Sequence, residues 1–270
     1  MRTALTFGLS AFAAAMLIAP IAHASECFQL AQAPQASPLH KANFVQVSET
    51  EPKAKITFLG HSTYAIEDPD GLTIATDWSG HQSFFLDEAP DVITMNRAHA
   101  THWTHRPDPE IEHVLPGWGE KGKPAHHFLR LGDTLIRNVP TDTRGGDYGA
   151  EPFGNSIFLF EMAGLCIGHL GHIHHTPTEE QFALLGRIDI LMVPVDGGFT
   201  LSLEELLPLT EKLRSQVVLP MHAFGRWSLN NFLDDMREAG FEVKHLDGND
   251  LSFTQKTLPE RPTVFVPKGV

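Results

Sequence analysis

Cysteine is scarce in this chain. Two cysteines in 270 residues exclude a thiolate zinc scaffold and a multi-disulfide miniprotein. Lysine and arginine together number 20 against 33 aspartates and glutamates, and no basic run occurs. A net charge of −13 without a basic cluster excludes a sequence-independent grip on nucleic-acid phosphates. Beyond the first 24 residues no apolar stretch approaches the 18 or so residues that span a bilayer, so no stable membrane insertion is expected once those residues are removed. Histidine, in contrast, occurs 16 times, which makes the imidazole ring the chemistry to explain.

Residues 1–24 combine Arg2, an apolar stretch and the small-x-small ending Ala22-His23-Ala24. This composition predicts a secretory signal peptide cleaved before Ser25, and a periplasmic destination if the host is Gram-negative. Residues 25–53, rich in Ala, Gln, Pro and Ser, read as a tail or surface wrap, and 54–270 as one domain. In an oxidising compartment Cys27 and Cys166 could pair, but two lone thiols are equally allowed by their spacing.

From Lys55 onward short apolar runs at 56–59, 64–66, 72–75 and 92–95 predict strands. Asp68-Pro69-Asp70-Gly71 predicts a hairpin turn. Four prolines make 103–127 loop-like, and strands are expected again at 134–139, 156–160 and 165–168. The second half alternates helix and strand. Thr176 is expected to cap one helix, and Ser202 a second that Pro208 should kink or split. Ser228 is expected to cap a third helix over 229–239, stopped by Gly240, and strands are read at 188–195, 217–220 and 241–245. Hairpins first and strand–helix alternation later imply an α/β fold with two sheets sandwiched between helices.

Histidines collect where these strands end. His61 follows the first strand; His99, His102 and His105 follow the run ending at Met95; His169, His172, His174 and His175 follow Gly168; His222 follows Met221. Strand ends are where ligands gather on α/β architectures. Several such histidines point to a shared metal site.

Ile56-Thr57-Phe58-Leu59-Gly60-His61-Ser62-Thr63 resembles the opening of the metallo-β-lactamase superfamily, in the branch similar to ascorbate-phosphate lactonase. Ala75-Thr76-Asp77, the His-rich loop, His169-Leu170-Gly171-His172, Val193-Pro194-Val195-Asp196-Gly197-Gly198 and Pro220-Met221-His222 follow in the family's order. The resemblance implies a four-layer αββα sandwich with a metal site at one edge.

Departures from the family pattern are equally specific. Its His-x-His-x-Asp-His loop is here Arg97-x-His99-x-Thr101-His102, and its bridging Asp is His172. Where a further His is expected, near 139–143, the chain has Asp142. The carry-over implies one divalent transition metal held by His99, His102, His172 and His222. Zn²⁺ is the leading expectation, with manganese, iron, nickel and copper also compatible with imidazole. Asp77 is expected to orient the ligands from behind, and His61 either does likewise or lines the pocket. Asp142, Asp147, His174 and His175 are candidate bases by location, and Arg97 is either an anion contact or a charge partner. Trp103, Trp118 and Phe224 belong either to the pocket wall or to the core. The expected function is a secreted metal-dependent hydrolase of a small-molecule lactone, ester, amide or phosphoester. The alternative is a non-hydrolytic metal- or ligand-binding protein on the same fold.

Overall fold

Alternating burial organises the first sheet in the computed structural model, which describes residues 25–31, 53–144 and 149–270. The expected signal peptide, residues 32–52 of the tail and Asp147 lie outside the described residues. In β1 (Ala54–Gly60), Ala54, Ile56 and Phe58 point inward while Lys55 faces solvent. This strand pairs antiparallel with β2 (Thr63–Glu67), which pairs with β3 (Thr73–Ala75) across the expected turn. The Asp68 carboxylate closes that turn by accepting from the Asp70 and Leu72 amides, both at 2.9 Å. Next come β4 (Val92–Met95) and β5 (His113–Pro116), both parallel, and β13 (Asp250–Phe253) flanks β1 on the other side.

Strand β5 corrects the loop reading of 103–127. Four residues ending in proline carry no strand signal of their own. They become a strand because they lie along the buried β4, at the sheet edge where proline is tolerated.

The second sheet has eight strands. An antiparallel meander, β6 (Phe128–Leu131), β7 (Thr134–Arg144), β8 (Ala150–Met162) and β9 (Leu165–His169), leads into the parallel strands β10 (Ile190–Pro194), β11 (Val217–Met221), β14 (Thr263–Val266) and β12 (Glu242–His245). Every residue of β9, β10 and β11 is buried, which explains their unbroken apolar runs.

Three apolar layers hold the molecule together. Between the sheets, Ile56, Phe58, Tyr64 and Ile74 share one cluster with Phe158, Phe160, Met192 and Leu219. Outside the eight-stranded sheet, helices α1 (Glu179–Leu185), α2 (Leu203–Leu213) and α3 (Arg226–Glu238) contribute Leu185, Leu206, Phe232 and Met236 to a cluster with Leu159, Leu191, Val193 and Val218. Outside the six-stranded sheet, Leu59, Ala75, Ile93 and Met95 lie under Trp78 and Ile111, with Trp103 and Trp118 packed against them. Those last two indoles are half-buried and pack against this cluster, 5.8 Å apart. The expected mixed α/β fold with two packed sheets is present, and its α layer is seen on one outer face. All three α-helices of the described residues pack in the cluster outside the eight-stranded sheet, while loops and the 3₁₀ turn His81–Phe85 serve the other side.

Three helix expectations need correction. Helix α1 is capped by Thr178, not Thr176. The Thr178 hydroxyl accepts from the Gln181 amide and the Gln181 side chain accepts from the Thr178 amide, a reciprocal box. Helix α3 starts at Arg226, after Gly225 turns the chain at φ 113°, so Ser228 lies buried inside it. Helix α2 keeps its Ser202 cap but passes Pro208 unbroken. The proline removes the donor for the Glu204 carbonyl. Both residues are exposed, so water can serve that carbonyl while Leu206, Leu209 and Thr210 anchor the other face.

Cys27 and Cys166 are disulfide-bonded with their Cα atoms 5.9 Å apart, which decides between the two open alternatives. The bond fastens the 25–31 segment to β9. Beside it, the Ser25 hydroxyl and Glu26 amide donate to the Glu161 carboxylate, which also receives Arg137 Nε at 2.7 Å.

Candidate metal centre

Strand ends supply every group of the site. β1 delivers His61 and Ser62, β3 Asp77, β4 the loop with His99, Thr101 and His102, β9 His172, β10 Asp196 and β11 His222. His61, Asp77 and His222 have φ of 54°, 44° and 55°. Non-glycine residues rarely adopt this left-handed conformation, and it concentrates at functional sites. A hydrogen bond from the His222 amide to the His61 carbonyl, 2.7 Å, locks the two turns together.

One nitrogen from each of His99, His102, His172 and His222 lies within 4.8 Å of the others. His102, His172 and His222 are buried and His99 is exposed. Two carboxylates fix the rings. Asp77 Oδ2 is 2.7 Å from His102 Nδ1, and Asp196 Oδ2 is 2.9 Å from His222 Nδ1. A carboxylate only accepts, so each Nδ1 carries the proton and each Nε2 presents a lone pair. The two Nε2 atoms are 3.1 Å apart. Two lone pairs aimed at one another repel unless a cation lies between them. His172 adds a buried Nε2 without a hydrogen-bond partner, while its Nδ1 contacts His174 Nε2 at 3.1 Å. Converging neutral nitrogens, one orphaned, fit a divalent transition metal; two imidazoles on a tetrahedral zinc lie about 3.4 Å apart.

Layers behind the ligands are rigid. Asp77 accepts from Asn96 Nδ2 at 2.7 Å, and Asn96 Oδ1 accepts the Ser156 amide at 2.8 Å. Asp196 accepts from the amides of Gly198, Phe199 and Thr200 and from the Thr200 hydroxyl. Asn155 Oδ1 receives the His172 amide at 2.8 Å. Gly171 between these groups has φ 63°, and a Cβ there would collide with the Asn96 and Asn155 amides. His169 is structural, with Nε2 on the Ser62 carbonyl and Nδ1 receiving the Gly171 amide.

Electrostatics follow this geometry. Burial alone would raise the Asp77 carboxyl, but His102, His169 and the bonds from His102 and Asn96 hold it well below the usual carboxylate range. Asp196 is likewise low: burial works upward, and the bonds from His222, Thr200 and Gly198 outweigh it. Burial, reinforced by His222 and His102, lowers His61 to about 3; burial and the same two rings lower His99 to about 4. Burial followed by His102 and His222 lowers His172 to about 2. These rings are neutral, as metal ligation requires.

The other sequence-derived candidates sit as follows. His61 lies beside the cluster, its ring 4.3 Å from that of His222, and its Nε2 contacts the Thr101 hydroxyl at 2.9 Å. Arg97 is ion-paired with Glu151 at 3.6 Å. Asp142 accepts the Phe153 amide at 3.0 Å and is not part of the four-nitrogen group. His175 is exposed, its ring 6.5 Å from that of His174. Sequence reasoning gave no role to Asp196, Asn96, Asn155 or Thr101. For Asp196 a signal existed, an acid directly after an apolar strand and before Gly197-Gly198.

The chain matches the beta-lactamase superfamily domain over residues 55–222. It is 26% identical over 227 residues to a UPF0173 metal-dependent hydrolase of Carboxydothermus hydrogenoformans, covering 73% of this chain and 98% of that protein. A UPF0173 metal-dependent hydrolase of Pyrococcus abyssi is 33% identical over 194 residues, 64% of this chain and 85% of that one. Among solved structures, a metallo-β-lactamase superfamily protein of Thermotoga maritima superposes with a TM-score of 0.58 at 24% identity, covering 79% of this chain and 98% of that chain. Igni18, a metallo hydrolase of Ignicoccus hospitalis, gives 0.55 at 20% identity over 74% and 98%.

Proposed function

The chain belongs to the β-lactamase superfamily, among relatives that are metal-dependent hydrolases, and from that premise we propose that it hydrolyses a small-molecule ester, lactone, amide or phosphoester at a single metal ion held by His102, His172 and His222 with His99 as fourth ligand. The observation that carries this reading is the convergence of the His102 and His222 Nε2 lone pairs beside the orphaned Nε2 of His172. A divalent ion bound there would polarise a substrate oxygen and make bound water more acidic. Asp77 and Asp196 hold two of the ligand rings in one orientation. Thr101 holds His99 through a 2.7 Å contact to its Nδ1. His175, exposed next to His174, is the proposed proton-transfer group, with Asp142 as the second candidate. Arg97 serves as a charge partner, a role its pairing with Glu151 supports.

One ion is proposed because the family's carboxylate bridge is replaced by His172, whose neutral ring cannot offset the repulsion of two nearby cations. Zinc is the proposed metal. Secretion is part of the same reading and is supported by the disulfide, since such bonds persist in oxidising compartments. Elemental analysis of the purified protein should give about one transition-metal ion per chain, lost on His222→Ala. Hydrolysis of at least one of an ester, lactone, amide or phosphodiester panel should disappear with it. Two tightly held ions, or full metal retention in His222→Ala, would overturn the single-ion site. One ion without hydrolysis of any class would favour the non-hydrolytic alternative.

A further inference from the structure

Eight large apolar side chains are exposed among the described residues; two of them lie on the connections that leave β10 and β11 beside the metal site, and a third opens the helix that follows β11. Phe199 is 62% exposed, Phe224 57% and Trp227 76%. Phe224 stands 4.8 Å from the His222 ring and 5.6 Å from the His61 ring, centroid to centroid. Phe199 meets it edge-on at 5.3 Å. Trp227 follows three residues later in the first turn of α3. The remaining five, Phe28, Phe84, Phe85, Phe128 and Leu184, belong to other elements.

Phe199 is not exposed through looseness. The carboxylate that orients His222 also accepts the Phe199 amide and both neighbouring amides, so the loop that lifts this ring into solvent is clamped by the site itself. A rigid, solvent-facing aromatic pair against a ligand histidine is apolar area that only a bound molecule covers. Asp77 and Asp196 offset the two charges of a divalent ion, and Arg97 is engaged by Glu151. A third cation is near: Arg144 donates to the Gly198 carbonyl at 3.2 Å and its charge reaches His174, so the aromatic pair and not the charge balance carries the preference.

We propose that Phe199 and Phe224, with Trp227 at their margin, form the substrate-side wall of the site and select substrates with an apolar acyl or aryl group next to the scissile bond. This rests on the hydrolase reading above and narrows it to substrates whose group beside the scissile bond is apolar.

The test is a series of p-nitrophenyl esters on the zinc-loaded protein. A fully covered methylene is worth about fourfold in binding, so half-covering rings give about twofold each and, over four methylenes, about sixteenfold in kcat/KM from acetate to hexanoate. The Phe199→Ala/Phe224→Ala variant should lose that slope with its metal content unchanged, whereas Phe84→Ala should keep it. A flat series in the unmodified protein, or an undiminished slope in the double variant, would overturn the proposal. Binding separates it from the hydrolase reading. If no ester is cleaved but ligand-observed NMR shows hexanamide binding at least fivefold tighter than acetamide, and only with the two phenylalanines present, the wall stands and hydrolysis falls. Equal binding of the two amides together with no cleavage would sink both.

Discussion

Thr101 shows how one changed residue redirects a site. The family loop carries an acid where this chain has a hydroxyl, and a threonine is no base at neutral pH. The hydroxyl instead contacts His99 Nδ1 at 2.7 Å and His61 Nε2 at 2.9 Å. One hydroxyl thereby fixes which nitrogen of His99 is left for a metal, a job that partners of ligating histidines commonly perform. Thr101→Val should weaken metal binding by about tenfold, and Thr101→Ser should restore it. Chelator competition measures both. Equal affinity in the valine variant would mean that packing alone positions His99.

Helix α2 is the element in which a local rule yields to packing. Pro208 removes one hydrogen bond, yet the segment from Leu203 to Leu213 stays helical because its apolar face is buried against the eight-stranded sheet. The Ser202 hydroxyl, accepting the Glu205 amide, secures the first turn. Pro208→Ala would return the donor to the Glu204 carbonyl. It should stabilise the protein by about 1 kcal/mol, part of the roughly 3 kcal/mol that separates the two residues in a helix interior. A shift of the urea midpoint upward, with an unchanged slope, is the expected result. A lower midpoint would show that the loop entering β11 depends on the proline. At the other end of the scale of predictability, α1 and α3 both begin where a specific backbone conformation allows, at extended Thr178 and at Gly225, and not at the first residue of capping type.

Two properties belong to the whole molecule. The disulfide joins residues 139 apart, and closing a loop of that length restricts the unfolded chain strongly. Cys27→Ser/Cys166→Ser should lose about 2–4 kcal/mol in denaturant unfolding while metal affinity stays unchanged. A loss of metal instead would place the N-terminal segment in the site's support. Acid sensitivity is the second property. Unfolded histidines titrate near 6.5, whereas His61, His99 and His174 are lowered to about 3, 4 and 4, chiefly by burial. Above 6.5 neither state of these rings is protonated, so their contribution to stability is complete. As pH falls from 6.5 toward 4 the unfolded chain takes up protons that the folded one refuses, so stability declines. His99 is partly open to solvent and contributes less. Chelator-treated protein should therefore unfold at progressively lower denaturant between pH 7 and pH 5. A flat profile would show that these rings titrate alike in both states.

The amino-acid sequence alone determined which residues could carry the chemistry. Histidines placed after apolar strands, in family order, located His99, His102, His172 and His222, and period-two runs with turn residues located most strands. Both signals are local, which is why one chain of letters contains them. Short β5 was invisible because its pairing energy comes from β4, and the helix starts shifted because capping depends on backbone angles that neighbours set. Asn96 and Asn155 were silent for the same reason: a hydrogen-bond partner is defined by direction, and direction exists only after folding. Tertiary structure alone decided that the two cysteines pair, that Trp103 and Trp118 pack against the outer apolar cluster, and that Phe199 and Phe224 stand together in solvent. Each of these is a distance between segments far apart in the chain, and only the packing of two sheets against one another fixes such distances.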